Sequence, residues 1–133
     1  MANRITTAID ALAAAITTAG LKVKRAHFSV RPEPAAVVYL LPSRLSRDGC
    51  VWTLAVEISV ACTAGESDVD QAVSTVLAAL DAALDVAALN VACGGIVELP
   101  SWEYIYSARQ GAGNLVGAAG LWSVRFEGPL TTA

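Results

Sequence analysis

Residues 52–62 read Trp-Thr-Leu-Ala-Val-Glu-Ile-Ser-Val-Ala-Cys, and this stretch decides the fold. Its even-numbered positions are all apolar, whereas the odd-numbered positions are small or polar and include Thr53, Glu57 and Ser59. Successive side chains of a β-strand point to opposite faces of the sheet. The alternation therefore predicts a strand with one face in the core and one semi-polar face.

Upstream of this strand, the pattern predicts a helix and two further strands. The helix is indicated by apolar residues at helical spacing, which are Ile5, Ile9, Leu12 and Ile16, and Gly20 is a plausible stop. Residues 21–30 alternate as an edge or partly exposed strand does, and the Arg-Pro-Glu-Pro sequence at 31–34 ends this strand. The apolar run at residues 35–41 predicts a strand buried on both faces, and residues 42–49 predict a polar loop.

Downstream, the pattern predicts a second helix and two strands. Ser67 is a candidate N-cap for a helix that ends near Asp85. Residues 96–106 form a strand region with a kink at Pro100. Residues 109–120 contain four glycines and predict a flexible loop, and residues 121–127 form the last strand.

These elements predict a single α+β domain over residues 1–133. We expect an antiparallel or mixed sheet of four to five strands, with two helices packed mainly on one face. Of the 133 residues 55% are hydrophobic, but 26 are alanine, so the larger apolar residues suffice for one ordinary core. The uncharged runs are broken well short of the ~20 apolar residues that a membrane span needs, and the N-terminus does not have the pattern of a signal peptide.

Charge and cysteine content limit the class of protein further. The net charge of -3 gives no general attraction to phosphate backbones, so we do not expect a dedicated nucleic-acid binder. The chain's three cysteines, Cys50, Cys62 and Cys93, are widely spaced among apolar neighbours. This favours free thiols, synthesised in a reducing cytoplasm, over a disulfide framework.

The sequence offers little of the chemistry that enzymes use. His27 is the only histidine, and the cysteines do not have the spacing of zinc ligands. The glycine-rich stretch leads into a strand, whereas a dinucleotide-binding loop opens a helix. We therefore expect no catalytic residues, no cofactor, no metal and no enzymatic activity.

Two interpretations stay open for the most localised basic feature, Arg44 and Arg47 in residues 43–49. It is either a solvated loop or a contact loop for an acidic partner surface or passing nucleic acid. Arg109 is the third candidate for such loop contacts. An aromatic group also has two interpretations, core packing or the lining of a ligand pocket; its members are Trp102, Tyr104, Trp122 and Phe126.

The order of these segments resembles the tail terminator proteins of long-tailed bacteriophages. The likeness is carried by the amphipathic first helix, the Pro-bearing turn at 31–34, the segment Ala-Ala-Val-Val-Tyr-Leu-Leu-Pro-Ser-Arg at 35–44, and Trp-Thr-Leu-Ala-Val-Glu-Ile-Ser-Val at 52–60. It continues through the Ser-Asp turn, the second helix and the last strand, and so spans nearly the whole chain.

The resemblance implies a structural virion protein at the head–tail junction, assembled in the host cytoplasm. Such proteins form a homo-oligomeric ring, usually of six subunits, on the last ring of the major tail tube protein. The other face of the ring meets head-completion or connector proteins, and DNA passes through the lumen without being read. A neighbouring connector role remains an alternative, as does a small-ligand-binding domain.

Overall fold

A computed structural model describes residues 2–25, 36–64, 69–109 and 113–132. The elements in chain order are β1 (Ala2–Asn3), α1 (Arg4–Thr18), β2 (Val23–Lys24), β3 (Val37–Asp48), β4 (Val51–Ala64), α2 (Val69–Ala83), α3 (Val86–Cys93), β5 (Ile96–Glu98), β6 (Glu103–Arg109), β7 (Gly113–Glu127) and β8 (Thr131–Thr132). His27 and the predicted turn at 31–34 lie outside the described residues, as does Ser67. The predicted strand at 21–30 is described only as the short β2.

The main sheet has six strands in the order β2-β3-β4-β7-β5, and β6 pairs with the remaining part of β7. The pairing of β2 with β3 is parallel and the other pairings are antiparallel, so the sheet is mixed. β1 and β8 form a separate two-stranded sheet. The α+β class is therefore confirmed. The predicted numbers of elements were too low, because the described residues contain six strands in the main sheet and three helices.

All three helices pack on one side of the sheet, which we call the helix face. α1, α2 and α3 contribute buried residues to a single hydrophobic cluster with the even-numbered side chains of β4 from Leu54 to Cys62. The odd-numbered side chains of β4, from Thr53 to Ala61, lie on the opposite side, which we call the open face. There a second, smaller cluster contains Val37, Tyr39 and Ala61. The two-faced pattern predicted for residues 52–62 is confirmed.

The polar loop predicted at residues 42–49 is wrong, because β3 continues to Asp48 and pairs with β4 as far as Val51. The two strands are joined by Gly49 and Cys50 alone. Gly49 has a φ of 61°, which two-residue hairpin turns require at a central position. A bulge between Pro42 and Arg44 interrupts the register. Pairing with an apolar neighbour thus keeps a polar segment extended.

The flexible loop predicted at residues 109–120 is also wrong, because most of it belongs to β6 and β7. β7 pairs with β4 on one side along its whole length and with β5 and β6 on the other. A Cβ built at Gly117 would lie 2.4 Å from the carbonyl oxygen of Val60. This glycine therefore allows a close approach of two backbones in a strand, rather than flexibility in a loop.

The helix ends carry the expected capping groups. The Asn3 side chain accepts hydrogen bonds from the backbone N–H groups of Ile5 and Thr6, at 2.9 and 3.2 Å, and so caps α1. α2 ends at Ala83, close to the predicted end. α3 was not predicted, although Asp85 caps its N-terminus and Gly94 ends it in the left-handed conformation, with a φ of 67°.

Arg4, at the start of α1, links three distant parts of the chain. Its guanidinium donates hydrogen bonds to the backbone carbonyls of Glu127, at the end of β7, and of Gly94, at the end of α3. The guanidinium carbon also lies 4.3 Å from the centroid of the Phe126 ring. Because both bonded carbonyls close secondary-structure elements, this side chain joins the start of α1 to the end of β7 and the end of α3.

Candidate assembly surface

Arg44 and Arg47 lie on the outer half of β3, beyond the bulge, and not on a loop. In the cross-strand register Arg44 is opposite Ala55 and Arg47 is opposite Trp52, so the two arginines point to opposite faces. The guanidinium carbon of Arg47 lies 5.3 Å from the centroid of the Trp52 ring on the helix face. Arg44 is exposed on the open face.

Arg109 is far from the other two predicted contact residues. It is the last residue of β6, where it is opposite Gly113 of β7. Arg47 is opposite Trp52 of β4, and Trp52 is opposite Phe126 of β7. A separation of thirteen residues along β7 corresponds to about 43 Å at the usual rise per residue. The structure therefore does not bring Arg44, Arg47 and Arg109 into one surface.

The sheet has two open edges, on opposite sides of the molecule. β2 covers only the Val38–Tyr39 part of β3, so the rest of β3 to Asp48 has no outer partner strand among the described residues. At the other side, β5 and β6 pair with β7 and have no further partner strand within the described ranges, although the backbone N–H of Val97 on β5 donates a hydrogen bond to Asn90 Oδ1 of α3 at 2.8 Å. We call these the β3 edge and the β5–β6 edge.

The two edges differ in the charged residues that they carry. Between Arg47 and Arg109 the sequence has no lysine or arginine, but it has nine aspartates and glutamates. The β5–β6 edge presents the exposed carboxylates of Glu98 and Glu103 and ends in Arg109, while the β3 edge presents Arg44 and Arg47 and ends in the exposed Asp48. The arginines were predicted as contact residues from the sequence and the glutamates were not, although the long stretch without basic residues is visible in the sequence.

Several large apolar side chains are left uncovered near the β5–β6 edge. Val91 of α3 is 85% exposed, and Ile96 of β5 is 60% exposed. Leu121, which is 55% exposed, lies opposite Glu57 on the open face of β7. Val91 belongs to a helix on the helix face, whereas Ile96 and Leu121 lie on the open face, so these side chains are exposed singly, as apolar side chains of this size commonly are.

Two shallow grooves lie on the open face. One, of about 610 Å³, is lined by residues that include Glu57, Glu103 and Leu121. The other, of about 700 Å³, is next to the β3–β4 turn and is lined by residues that include Asp48 and Arg125. Both are open to solvent, and the first is also lined by two serines, Ser43 and Ser101.

The four aromatic residues considered for a pocket are not brought together in either groove. Trp122 is fully buried and Phe126 is 3% exposed, and both belong to the core on the helix face. Trp102 lines one groove and Phe126 lines the other. Tyr104 is partly exposed and its hydroxyl lies 2.6 Å from the Ser74 hydroxyl of α2, within hydrogen-bond distance. Two of the four therefore serve core packing.

The cysteines are free, and their environments differ. Cys50 is exposed at the β3–β4 turn, whereas Cys62 and Cys93 are buried. Burial raises the pKa of the Cys62 and Cys93 thiols, because desolvation disfavours the thiolate. In the part of the chain that the structure describes, no group of three or more potential ligands is placed to hold a metal ion.

No single helix within the described ranges is long and apolar enough to cross a membrane; α2 and α3 reach that length and composition only as a pair, bent by 64°. Comparison with models of known protein families gives no match for this chain, and comparison with curated proteins gives no significant match either.

Proposed function

We infer that the protein is a non-enzymatic structural subunit that assembles into a closed ring, and that the ring is the tail terminator of a long-tailed bacteriophage. The observation that carries the first part is the pair of sheet edges on opposite sides of one subunit that have no further partner strand within the described residues. Open edges bind other strands readily, and a contact between two different surfaces of identical subunits produces either a closed ring or a filament.

The assignment to a phage tail comes from the resemblance of segment order described above. In this role the ring binds the last ring of the major tail tube protein with one face and a head-completion or connector protein with the other. DNA passes through the lumen without sequence-specific contacts, which suits the net negative charge of the subunit. The protein then resides in the virion at the head–tail junction, after assembly in the host cytoplasm, and contacts no membrane.

A ring ends tube growth by geometry. Each subunit contact is small, but closure makes every subunit hold two neighbours at once, so many weak contacts act together. The exposed side of the ring differs from the surface that a tube subunit presents, and further tube subunits therefore find no matching contact.

The test is electron microscopy and mass measurement of the purified protein, alone and mixed with purified tail tubes. We expect rings of one size and capping of the tubes at one end. A particle that remains monomeric at every concentration would contradict the ring. Rings that bind an isolated head–tail connector and never a tube would assign the protein to the neighbouring connector role.

The ligand-binding alternative is tested by a thermal-shift screen of metabolites. A ligand that binds only the folded state must raise the melting temperature. Since Trp122 and Phe126 are core residues, we expect no metabolite to produce a large shift. A shift of several degrees by one compound would favour a small-ligand-binding domain instead.

A further inference from the structure

We propose that two copies of this chain pair through their β3 edges, antiparallel and about a two-fold axis that passes between the two Ser46 residues. In this arrangement Arg44 of each copy lies opposite Asp48 of the other. The inference goes beyond the proposed ring and does not depend on it. It describes the unassembled protein as a dimer in which each copy covers the β3 edge of the other.

The backbone groups of this part of β3 are divided between β4 and solvent. Asp48 and Val51 flank a two-residue turn and lie directly opposite each other, so they exchange both of their backbone hydrogen bonds, as the flanking residues of such a hairpin do. From there the direction of the N–H and C=O groups alternates along an antiparallel pair. Leu45 and Arg47 therefore point these groups away from β4, whereas Ser46 between them points its groups at β4.

The outward groups of Leu45 and Arg47 are those that an added strand would use. β2 ends short of both residues, and neither backbone N–H donates a hydrogen bond to a described residue outside the β3–β4 ladder. This distinguishes the β3 edge from β5, where the N–H of Val97 already donates to Asn90. Edge strands with unpaired main-chain groups are templates for a further strand.

One register of two β3 edges satisfies the backbone and the charges together. With Ser46 on the two-fold axis, Leu45 of each copy lies opposite Arg47 of the other, and each of these two pairs exchanges two main-chain hydrogen bonds. Arg44 and Asp48 then lie opposite each other at both ends of the contact, at the ~5 Å Cβ spacing of cross-strand neighbours. An axis at Arg47 would instead set two arginines against each other, and an axis at Leu45 would leave both charged residues of the open face without a charged partner.

The charged side chains are placed for this pairing. Arg44, Ser46 and Asp48 lie on the open face, since they alternate along β3. Both charged side chains are exposed, and neither forms an ion pair with another described residue of its own chain. Opposite charges directly across an antiparallel pair stabilise it. The β3 edge is therefore complementary to itself when it is turned about the axis.

The helix face of the contact is covered at the same time. Leu45 is 38% exposed in the single subunit. Pairing would lay it against the methylene groups of Arg47 of the second copy, whose guanidinium stays over its own Trp52 ring. A bulge after Pro42 and the turn at Gly49 limit the contact to residues 44–48. So short a contact falls below the ~1,200 Å² that stable complexes bury, and the dimer is therefore weak and reversible.

The first test is disulfide cross-linking at the two-fold axis. In a Cys50→Ser background, which removes the exposed thiol, Ser46→Cys places two thiols opposite each other across the contact. The Cα atoms of such a pair, which shares no main-chain hydrogen bond, lie ~4.5 Å apart, within the range that a disulfide spans. We expect a covalent dimer on a non-reducing gel after mild oxidation. Thr53→Cys is the matched control, because Thr53 lies opposite Ser46 on β4, one strand further from the axis, and it should remain monomeric.

The second test is charge reversal at the two ends of the contact. Arg44→Asp and Asp48→Arg, alone and together, are compared with the unaltered chain by sedimentation velocity over a concentration series. Each single change sets like charges opposite each other at both symmetric positions, so we expect half-dimerisation to need a concentration at least about tenfold higher. The double variant should regain the original dimerisation. Glu98→Arg is the matched control, because it makes the same charge change as Asp48→Arg at the opposite edge of the sheet and should dimerise normally.

The outcomes separate this inference from the proposed ring. If Ser46→Cys does not cross-link, or links no better than Thr53→Cys, the β3 pairing is overturned, and rings seen by electron microscopy still stand. If the double reversal stays monomeric while folded by circular dichroism, the opposition of Arg44 and Asp48 is overturned. If covalent dimers form but the unaltered chain neither forms rings nor caps tubes, the ring is overturned and the β3 pairing stands.

Discussion

Replacement of Arg4 by alanine provides the sharpest test of how the subunit is held together. The change removes two charge-assisted hydrogen bonds, to the carbonyls of Gly94 and Glu127, and the contact with the Phe126 ring. Hydrogen bonds that involve a charged group contribute about 1.5–3 kcal/mol each, and a partly exposed cation–π contact contributes ~0.5–1 kcal/mol.

Two effects reduce this figure. Arg4 is only half-buried, so water replaces part of what the carbonyls lose. A positive charge at a helix N-terminus is also unfavourable by roughly 0.3–1 kcal/mol, and the alanine variant no longer has it. The net loss in the free energy of unfolding is therefore about 2 kcal/mol.

The assay is urea denaturation followed by tryptophan fluorescence, with the slope of the transition checked for constancy. Arg25→Ala is the matched control, since Arg25 forms a 2.6 Å ion pair with Asp10 in which both side chains are about half exposed. A surface pair of this kind contributes under about 1 kcal/mol. Arg4→Lys should fall between the two, because one ammonium does not span both carbonyls. If Arg4→Ala destabilises the protein no more than Arg25→Ala, the reasoning is refuted.

Three further predictions concern stability. Gly117→Ala should cost about 1–3 kcal/mol, because a Cβ there meets the Val60 carbonyl at 2.4 Å, and an unchanged urea midpoint would contradict the close approach. Burial raises the pKa of Cys62 and Cys93, so the unfolded chain loses these protons first; the contribution of these two thiols to the free energy of unfolding should be constant below the ordinary thiol value of 9.0 and fall above it. The double Cys→Ala variant should abolish that decline, and a decline that persists in it would have another cause. Asp85→Ala should lower the free energy of unfolding by about 1 kcal/mol through loss of the α3 N-cap, whereas Asp85→Asn should keep most of the stabilisation that the cap provides.

The central strand could be predicted from the sequence because its two faces meet different environments. β4 is flanked by β3 and β7, and its side chains on the helix face lie in the core. The alternation of apolar residues is therefore unbroken from Leu54 to Cys62. The N-terminal helix was predictable for the same reason, since its stripe of apolar residues packs on the helix face of the sheet.

The wrong predictions concern segments whose conformation is set by pairing with a neighbouring strand and not by the conformational preference of their own residues. Residues 42–48 are mostly polar, and nothing within them indicates that β4 keeps them extended. In β7, glycine at positions 113, 117 and 120 resembled loop composition, but the backbones beside Gly117 leave no room for a side chain. The alternation from Val116 through Trp122 to Phe126 was visible and was outweighed by the glycines.

The candidate surface was only half predictable. Arg44 and Arg47 were identified as exposed basic residues, and they are exposed. Their position on a sheet edge, and the presence of Glu98 at the far end of the same row, depend on β5 pairing with a strand about 25 residues later in the chain. Strand order of that kind is set by the packing of the whole sheet and not by local pattern.

The pairing of β1 with β8 places Ala2 opposite Thr132, and the backbone N–H of Arg4 donates a hydrogen bond to the carbonyl of Leu130 at 2.7 Å. Because the first and last described strands are neighbours, a short linker could join them without rearranging the core. The order in which the elements occur in the chain could then be permuted, with new termini opened at the exposed turn of Gly49 and Cys50. A label attached at β1 would likewise lie close to one attached at β8.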